Sequence, residues 1–214
     1  MTESLKAEVA KLLAGSAFVY AKVPTHSIET VVQLANMGFR LTDTQMTLER
    51  PLDRPWKADR SSAHVRLSRA DDRTAVEFVG RESFRFSRFH LDPLVSKNIA
   101  DEIKAQWVGN FFTGNRGNYL IVAEGKDGVG GFLQLLEQDS GRTINVDLIA
   151  VLEKYHGQGF ASQMIEYAAK HCAGKAMNYK VSTQAANIPS LRLYEKMGFT
   201  MCQSLYIFHA HGRN

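Results

Sequence analysis

Apolar residues recur along this chain with one of two periods, and the period predicts the element. Ile144-Asn145-Val146-Asp147-Leu148-Ile149-Ala150-Val151 alternates at first and then runs continuously apolar, as a strand buried on both faces does. After it, Phe160, Met164, Ile165, Ala168, Ala169 and Cys172 recur at helical spacing, and Gly174 is placed to stop that helix. The same reading predicts strands at 64–68, 119–124, 130–137, 179–184 and 199–209, with Lys126-Asp127-Gly128 as the turn between the second and third. Asp71-Asp72 opens a helix through Ala75, Val76, Phe78 and Val79. Residues 95–113 carry another, with Ile99, Ile103, Trp107 and Phe111 on one face. Asn187-Ile188-Pro189-Ser190 announces a third, along which Leu191, Tyr194 and Met197 lie before Gly198 ends it. The stretch 84–94, rich in Phe, Arg and His, reads as a mobile or irregular region. The order over 64–214 is therefore β-α-α-β-β-β-α-β-α-β.

The first sixty residues contain an echo of the last. Ala35-Asn36-Met37-Gly38-Phe39 matches Glu195-Lys196-Met197-Gly198-Phe199, and Lys22-Val23-Pro24-Thr25 mirrors Lys180-Val181-Ser182-Thr183. Both segments read strand, helix, Met-Gly-Phe, strand. Leu34 stands where the second copy has Tyr194, and Ser27 where it has Asn187. The expected organisation is a truncated, catalytically empty segment over 1–52, a proline-rich charged linker over 53–63, and a complete domain over 64–214.

Composition narrows the function classes. The chain has 214 residues, 44% hydrophobic and 22% charged, as a globular protein does. Its net charge of +4 is spread rather than clustered, which does not point to nucleic acid, and a mildly positive surface suits small anionic substrates. No apolar run is long enough to span a membrane, and 1–15 lacks the pattern of a signal peptide. Two cysteines, Cys172 and Cys202, have no metal-ligand spacing. A cytoplasmic enzyme without a metal is the expectation.

The chemistry starts at His156-Gly157-Gln158-Gly159-Phe160-Ala161, between a strand and a helix N-terminus. Such a turn is either a plain connection or an anion cradle, in which glycines admit a close backbone approach and free helix N–H groups face the ligand. The spacing excludes G-x-x-x-x-G-K-[ST], and Gln163 stands where a G-x-G-x-x-G loop would need its third glycine. It resembles the [QR]-x-x-G-x-[GA] loop of the GNAT (Gcn5-related) N-acetyltransferases, with Gly159 and Ala161 at the last two fixed positions and His156 replacing the usual Gln or Arg. The resemblance implies an α+β fold with a mixed, mostly antiparallel sheet flanked by helices. It implies a cleft where the strand before the loop splays from its neighbour.

It also implies acetyl-CoA as cosubstrate. The loop amides of 156–161 would hold the pyrophosphate, and the backbone of Ile149, Ala150 and Val151 would meet the pantetheine and supply an oxyanion donor. Asn187, otherwise expected as a helix N-cap, would meet the pantetheine or phosphate region. Tyr194, about two helical turns beyond Asn187, would be the general acid to the departing thiolate. Its ordinary pKa near 10 is roughly matched to a thiol.

The general base is not fixed by any motif; Glu137, Asp147, His90 and His156 are the candidates, and a water relay would suffice. Over most of the chain, including Ser87-Arg88-Phe89 and Ala105-Gln106-Trp107, the pattern is similar to the acetyltransferases of dTDP-linked 4-amino-4,6-dideoxy sugars. That implies a nucleotide-sugar amine as acceptor, Phe86, Arg88, Phe89 and Trp107 as walls of its site, Arg85 or Arg88 on a diphosphate, and a homodimer. A protein or polyamine acetyltransferase and a non-catalytic acyl-CoA-binding module are the alternatives.

Overall fold

In a computed structural model describing residues 2–15, 17–56 and 61–212, eight strands form one sheet in the order β1-β8-β2-β7-β6-β5-β4-β3. The strands are β1 (Phe18–Pro24), β2 (Arg40–Pro51), β3 (His64–Leu67), β4 (Tyr119–Gly125), β5 (Gly128–Gln138), β6 (Thr143–Val151), β7 (Asn178–Gln184) and β8 (Thr200–His211). The helices are α1 (Glu3–Leu13), α2 (Ile28–Asn36), α3 (Arg73–Ser83), α4 (Lys97–Gly109), α5 (Phe160–Cys172) and α6 (Ile188–Lys196). Every strand pair is antiparallel except β6 with β7. The predicted element order over 64–214 and the mixed, mostly antiparallel sheet are both present.

The buried face of β6 changes part-way along the strand. Ile144 and Val146 pack into the core formed with α5 and α6, whereas Leu148 and Ala150 pack into a second core with Val76 and Val79 of α3 and Val108 of α4. A strand with unbroken alternation could not do this, since positions two apart share a face. The register explains it: Gln134 pairs with Leu148 and Leu135 with Val146, so Asp147 is an extra residue on β6, a β-bulge. Bulges bend the strand that carries them. The β6–β7 ladder runs from Thr143↔Asn178 to Val146↔Val181 and ends there, one residue before the bulge.

The helical readings need two corrections. The helix read over 95–113 ends at Gly109, because the chain turns at Asn110, whose carbonyl accepts from the amides of Asn115 and Arg116. Its inner face is not Ile99 and Trp107 but Ala100, Lys104, Ala105 and Val108, and Ile99 is 57% exposed. Close helix packing selects that face: a Cβ at Gly80 of α3 would lie 3.1 Å from Val108 and 3.2 Å from the Lys104 carbonyl. Phe78, one of the apolar residues in the pattern read for α3, is likewise exposed.

The terminal strand–helix–strand units correspond in detail. β1, α2 and β2 start and end at a constant offset of 160 residues from β7, α6 and β8, so Lys22 corresponds to Ser182 and not, as the sequence pairing has it, to Lys180. Both helices end in the same turn: Gly38 and Gly198 have φ of 86° and 83°, and the amides of Phe39 and Phe199 each donate to the carbonyl five residues back, Leu34 and Tyr194, at 3.0 Å. Glycine is required at such a C-terminal turn because φ is positive.

The sheet pairs the two units crosswise. β1 lies on β8 and β7 on β2, in equivalent registers (Phe18↔His211 and Asn178↔Pro51), and β2 meets β8 between them. Register shifts skip Thr42 on β2 and Cys202 on β8, the corresponding residue. Residues 18–51 are thus interleaved with the C-terminal strands.

The stretch read as a linker is tied down where it is described. The Arg50 guanidinium lies 3.8 Å over the Trp56 ring and donates to the carbonyls of Met197 and Pro55, and the Trp56 indole N–H donates to the Leu52 carbonyl. Residues 57–60 of that stretch lie outside the described residues. No helix among the described residues is long and apolar enough to cross a membrane.

Candidate active site

Where β6 and β7 part, a cleft of about 670 Å³ opens. One wall is the edge of β6 from Val146 to Val151, the opposite wall is Ser182–Gln184 of β7 with α6, the floor is the 156–162 turn, and the 83–87 segment with Lys104 closes the far side. Beyond Val146 the β6 main chain has no ladder partner on this side, where the His156 ring meets the Val151 carbonyl and the edge is otherwise open to the cleft or water. Ile149, Ala150 and Val151 all line it.

The turn has the geometry of an anion cradle. Gly157 and Gly159 hold φ of 72° and 78°, in the left-handed region, and Gly159 is the N-cap of α5. The amides of His156, Gln158 and Gln163 are used internally, whereas those of Gly157 and Gly159 have no backbone acceptor among the described residues. The N–H groups of Phe160 and Ala161, which open the 13-residue α5, likewise have no intrahelical acceptor, and the helix dipole adds positive potential there.

The turn rests on an aromatic stack. Tyr155 lies parallel to Phe160 with centroids 4.6 Å apart, its hydroxyl is 3.3 Å from Asp127 in the β4–β5 turn, and its ring fills the space that a Cβ at Gly125 or Gly130 would need. Gly130→Ala is therefore expected to displace Tyr155 and lower stability by about 1–3 kcal/mol, read by thermal unfolding.

The other cradle residues divide. His156, Gly157, Gly159, Phe160 and Ala161 line the cleft, whereas Gln158 does not, its side chain turning back to donate to the Lys154 carbonyl. The His156 ring is bonded at 2.8 Å to the Val151 carbonyl, so it braces the turn against β6. Asn187 lines the cleft and is also the N-cap of α6, its side-chain oxygen accepting from the Ser190 amide. Tyr194 is 2% exposed, packs edge-on against Phe199 and lines the cleft; its hydroxyl has no hydrogen-bond partner among the described residues. Burial raises its pKa well above the ordinary phenol value, so it remains a proton donor throughout the neutral range.

The acceptor-side residues are rearranged relative to expectation. Phe86 and Arg85 line the cleft. Arg88, Phe89 and Trp107 do not. Arg88 turns to the N-terminal strands, its guanidinium 3.9 Å over Tyr20, and Phe89 is buried beside Phe18 and His209. Trp107 lies behind the wall and donates its indole N–H to Asp147 at 3.0 Å.

Asp147 lines the cleft, but Arg116 holds both of its oxygens in a bidentate pair at 2.6 Å, and Gln134 adds a bond at 3.3 Å. A carboxylate so occupied is a structural anchor. Asp147→Ala should cost about 2–3 kcal/mol, because Trp107 and the partly exposed Arg116 lose their partner; urea unfolding measures it. Glu137 is exposed on β5, accepts from the Tyr119 hydroxyl and does not line the cleft.

Sequence reasoning passed over Lys104. It is 7% exposed, sits 4.8 Å and 4.6 Å from the Phe84 and Trp107 rings, and lines the cleft. Burial is the main cause that lowers its pKa to about 8, with Arg88 and Arg116 adding repulsion against the pull of Asp147. With Arg85, Arg192 and Lys196 it makes the cleft basic, and Asp147 is the one carboxylate among the lining residues. Asp92, His209 and His211 bring together metal-type donors elsewhere, but Asp92 meets the two rings at 2.7 and 2.8 Å, the separations of direct hydrogen bonds. This contact ties the 84–94 loop to β8, so the loop is irregular but packed.

Comparison with known proteins decides the family. Residues 83–199, which include the cradle, the splayed strands and Tyr194, match the model of the acetyltransferase (GNAT) family. The chain belongs to the GNAT family. It is 34% identical over 139 residues to the spore coat polysaccharide biosynthesis protein SpsD of Bacillus subtilis, a match covering 64% of this chain and 47% of SpsD. The chain thus spans about half the length of that relative. Among solved GNAT structures it is similar to a GCN5-related N-acetyltransferase from Sphaerobacter thermophilus (TM-score 0.64, 15% identity, 94% of this chain and 62% of the other). It is also similar to a GNAT-family acetyltransferase from Colwellia psychrerythraea (TM-score 0.58, 15% identity, 96% and 71%). At those identities the likeness is one of fold, and the expected GNAT sheet is thereby matched.

Proposed function

We propose that this chain transfers the acetyl group of acetyl-CoA to the primary amine of a nucleotide-linked amino-deoxy sugar. The observation that carries the reading is the end of the β6–β7 ladder at Val146 directly above a turn with two left-handed glycines. A long, thin, phosphate-bearing donor fits that combination, with free strand-edge amides for a pantetheine and helix-start amides for a pyrophosphate. When bound, acetyl-CoA supplies an activated acyl group. The amides of 157–161 would hold its phosphates, and the edge of β6 over 149–151 would orient its arm. An N–H of that edge would stabilise charge on the thioester oxygen, and Tyr194 would donate its proton to the sulfur. Burial lifts the Tyr194 pKa away from the value that would match a thiol in water. The same burial raises the proton affinity of a thiolate at that place, so the pair remains matched in the cleft.

The acceptor reading draws on two things: the similarity to SpsD, whose description places it in polysaccharide biosynthesis, and the basic far side of the cleft. Arg85 and Lys104 would attract a diphosphate there. We propose further that residues 1–52 are a structural half-copy, without a cradle and with Leu34 in place of the acid.

Thiol release from acetyl-CoA, measured across dTDP-4-amino-4,6-dideoxy sugars, lysine peptides and polyamines, tests this. The nucleotide sugar should exceed the others by at least ~10²-fold in kcat/KM, since a buried site loses that factor when its charged partner is missing. A peptide or polyamine preference would overturn the acceptor. Silence across the panel with acetyl-CoA bound would overturn catalysis.

A further inference from the structure

The acceptor side of the cleft holds a chain of three side chains that the motif comparison does not single out. Ser87, 5% exposed, lines the cleft, and its Oγ is 2.6 Å from Nδ1 of His90. Nε2 of His90 is 2.9 Å from Oδ1 of Asp101 on α4. The imidazole is buried, with a side-chain exposure of 6%. A carboxylate only accepts, so Nε2 carries the ring proton; Nδ1 is then a lone pair, and the Ser87 hydroxyl donates to it. The order of roles is that of a nucleophile, base and orienting acid, with the hydroxyl end toward the cleft.

We infer that Ser87, His90 and Asp101 are the proton relay that deprotonates the acceptor amine, Ser87 Oγ being the atom that meets it. This rests on the acetyl transfer proposed above. As the nitrogen–carbonyl bond forms, the amine proton passes to Ser87 Oγ while the hydroxyl proton of Ser87 moves to His90 Nδ1. His90 becomes an imidazolium that Asp101 stabilises without taking the proton. The carbon–sulfur bond then breaks, its electron pair leaves on sulfur, and Tyr194 delivers a proton there. His90 returns its proton to water, and Tyr194 regains one. The other candidate bases are engaged or absent from the cleft: Arg116 occupies Asp147, His156 is bonded to the Val151 carbonyl, and Glu137 does not reach it.

The groups facing His90 set its working range. Burial is the main cause that lowers its pKa; Asp101 raises it, and Lys104 and Lys97 of α4 lower it. His90 is therefore neutral at pH 7, as a base must be. Lys104 is buried on the same side as the carboxylates of Asp101 and Asp147, and its pKa of about 8 separates its titration from that of His90.

The experiment is the pH profile of kcat with both substrates saturating, for the wild type, Ser87→Ala, Ser87→Thr and His90→Ala. General-base catalysis contributes ~10²-fold or more. Ser87→Ala should lose about that factor, with the KM for acetyl-CoA unchanged, and Ser87→Thr should retain most of kcat. The wild-type acid limb should fall below pH ~6.5, the ordinary histidine value, and disappear in Ser87→Ala. Added imidazole should partly restore His90→Ala, which a purely structural histidine would not permit. The ¹⁵N shifts of His90 in the acceptor-free protein should report the neutral Nε2–H form. An active wild type with Ser87→Ala within ~3-fold of it, or an acid limb near pH 8 that survives in Ser87→Ala, would overturn the relay alone. A wild type that acetylates no amine would overturn the transfer reading and the relay with it.

Discussion

Tyr194→Phe is expected to lower kcat by ~10²-fold or more while leaving acetyl-CoA affinity and folding stability nearly intact. The expected separation comes from the environment of the hydroxyl. It is buried, faces the cleft and has no hydrogen-bond partner among the described residues, so its removal strands no donor or acceptor in the protein. Replacing an unpartnered buried hydroxyl by hydrogen is close to neutral for stability. Leu34 occupies the corresponding place in α2, buried and in the same helix-terminating turn, which indicates that the packing requires an apolar side chain there and not a hydroxyl. Steady-state kinetics with calorimetric titration distinguishes the outcomes. An unchanged kcat removes Tyr194 from the role of acid, and a matching loss of affinity would make it a binding residue instead.

Gly159→Val should have the largest effect on the donor. At φ of 78° a β-branched residue costs about 1–2 kcal/mol, and relaxing that strain turns the Gly159 amide and the first turn of α5 away from the cleft. Losing one charge-assisted hydrogen bond in addition brings the expected weakening of acetyl-CoA binding to ~10²-fold, about 2–3 kcal/mol. The fold should survive, because α5 itself is anchored by Phe160, Met164 and Ile165 in the main core. Calorimetry on the purified variant would show it, and wild-type affinity would indicate that the cradle amides do not hold the phosphates.

Much of the fold was legible because local patterns agreed with it. The β6 run, the α5 periodicity and the repeated Met-Gly-Phe turn each correspond to elements of the expected type. The bulge at Asp147 was not legible, although it aims the strand into two cores and ends the β6–β7 ladder. It leaves no local signature, since Ile144–Val151 reads equally well as an unbroken strand. The inner face of α4 was misread for a related reason. Its selection depends on Gly80 of a different helix, which admits the backbone of Lys104 and Ala105 rather than a large apolar face.

The site divides along the same line. The donor side follows largely from contiguous sequence, because β6, the turn after it and the start of α5 supply all but Asn187 and Tyr194. The acceptor side is assembled from separate parts: of Phe86, Arg88, Phe89 and Trp107, expected as its walls, only Phe86 lines the cleft, together with Arg85, Ser87 and Lys104. Arg88 and Phe89 are drawn away by Tyr20 and Phe18 of β1, partners some seventy residues distant. The proximity of Ser87 to His90 within one loop was a local signal, but only the packing of α4 adds Asp101 to it.

The central claim is that the gap between β6 and β7 holds acetyl-CoA with its pyrophosphate on the 157–161 turn. A crystal structure of the protein with acetyl-CoA tests it most directly. The account predicts phosphate density within hydrogen-bond distance of the Gly157, Gly159 and Ala161 amides, the pantetheine arm along 149–151, and the thioester sulfur beside the Tyr194 hydroxyl. Phosphate density elsewhere, or an arm that avoids the open edge of β6, would contradict it.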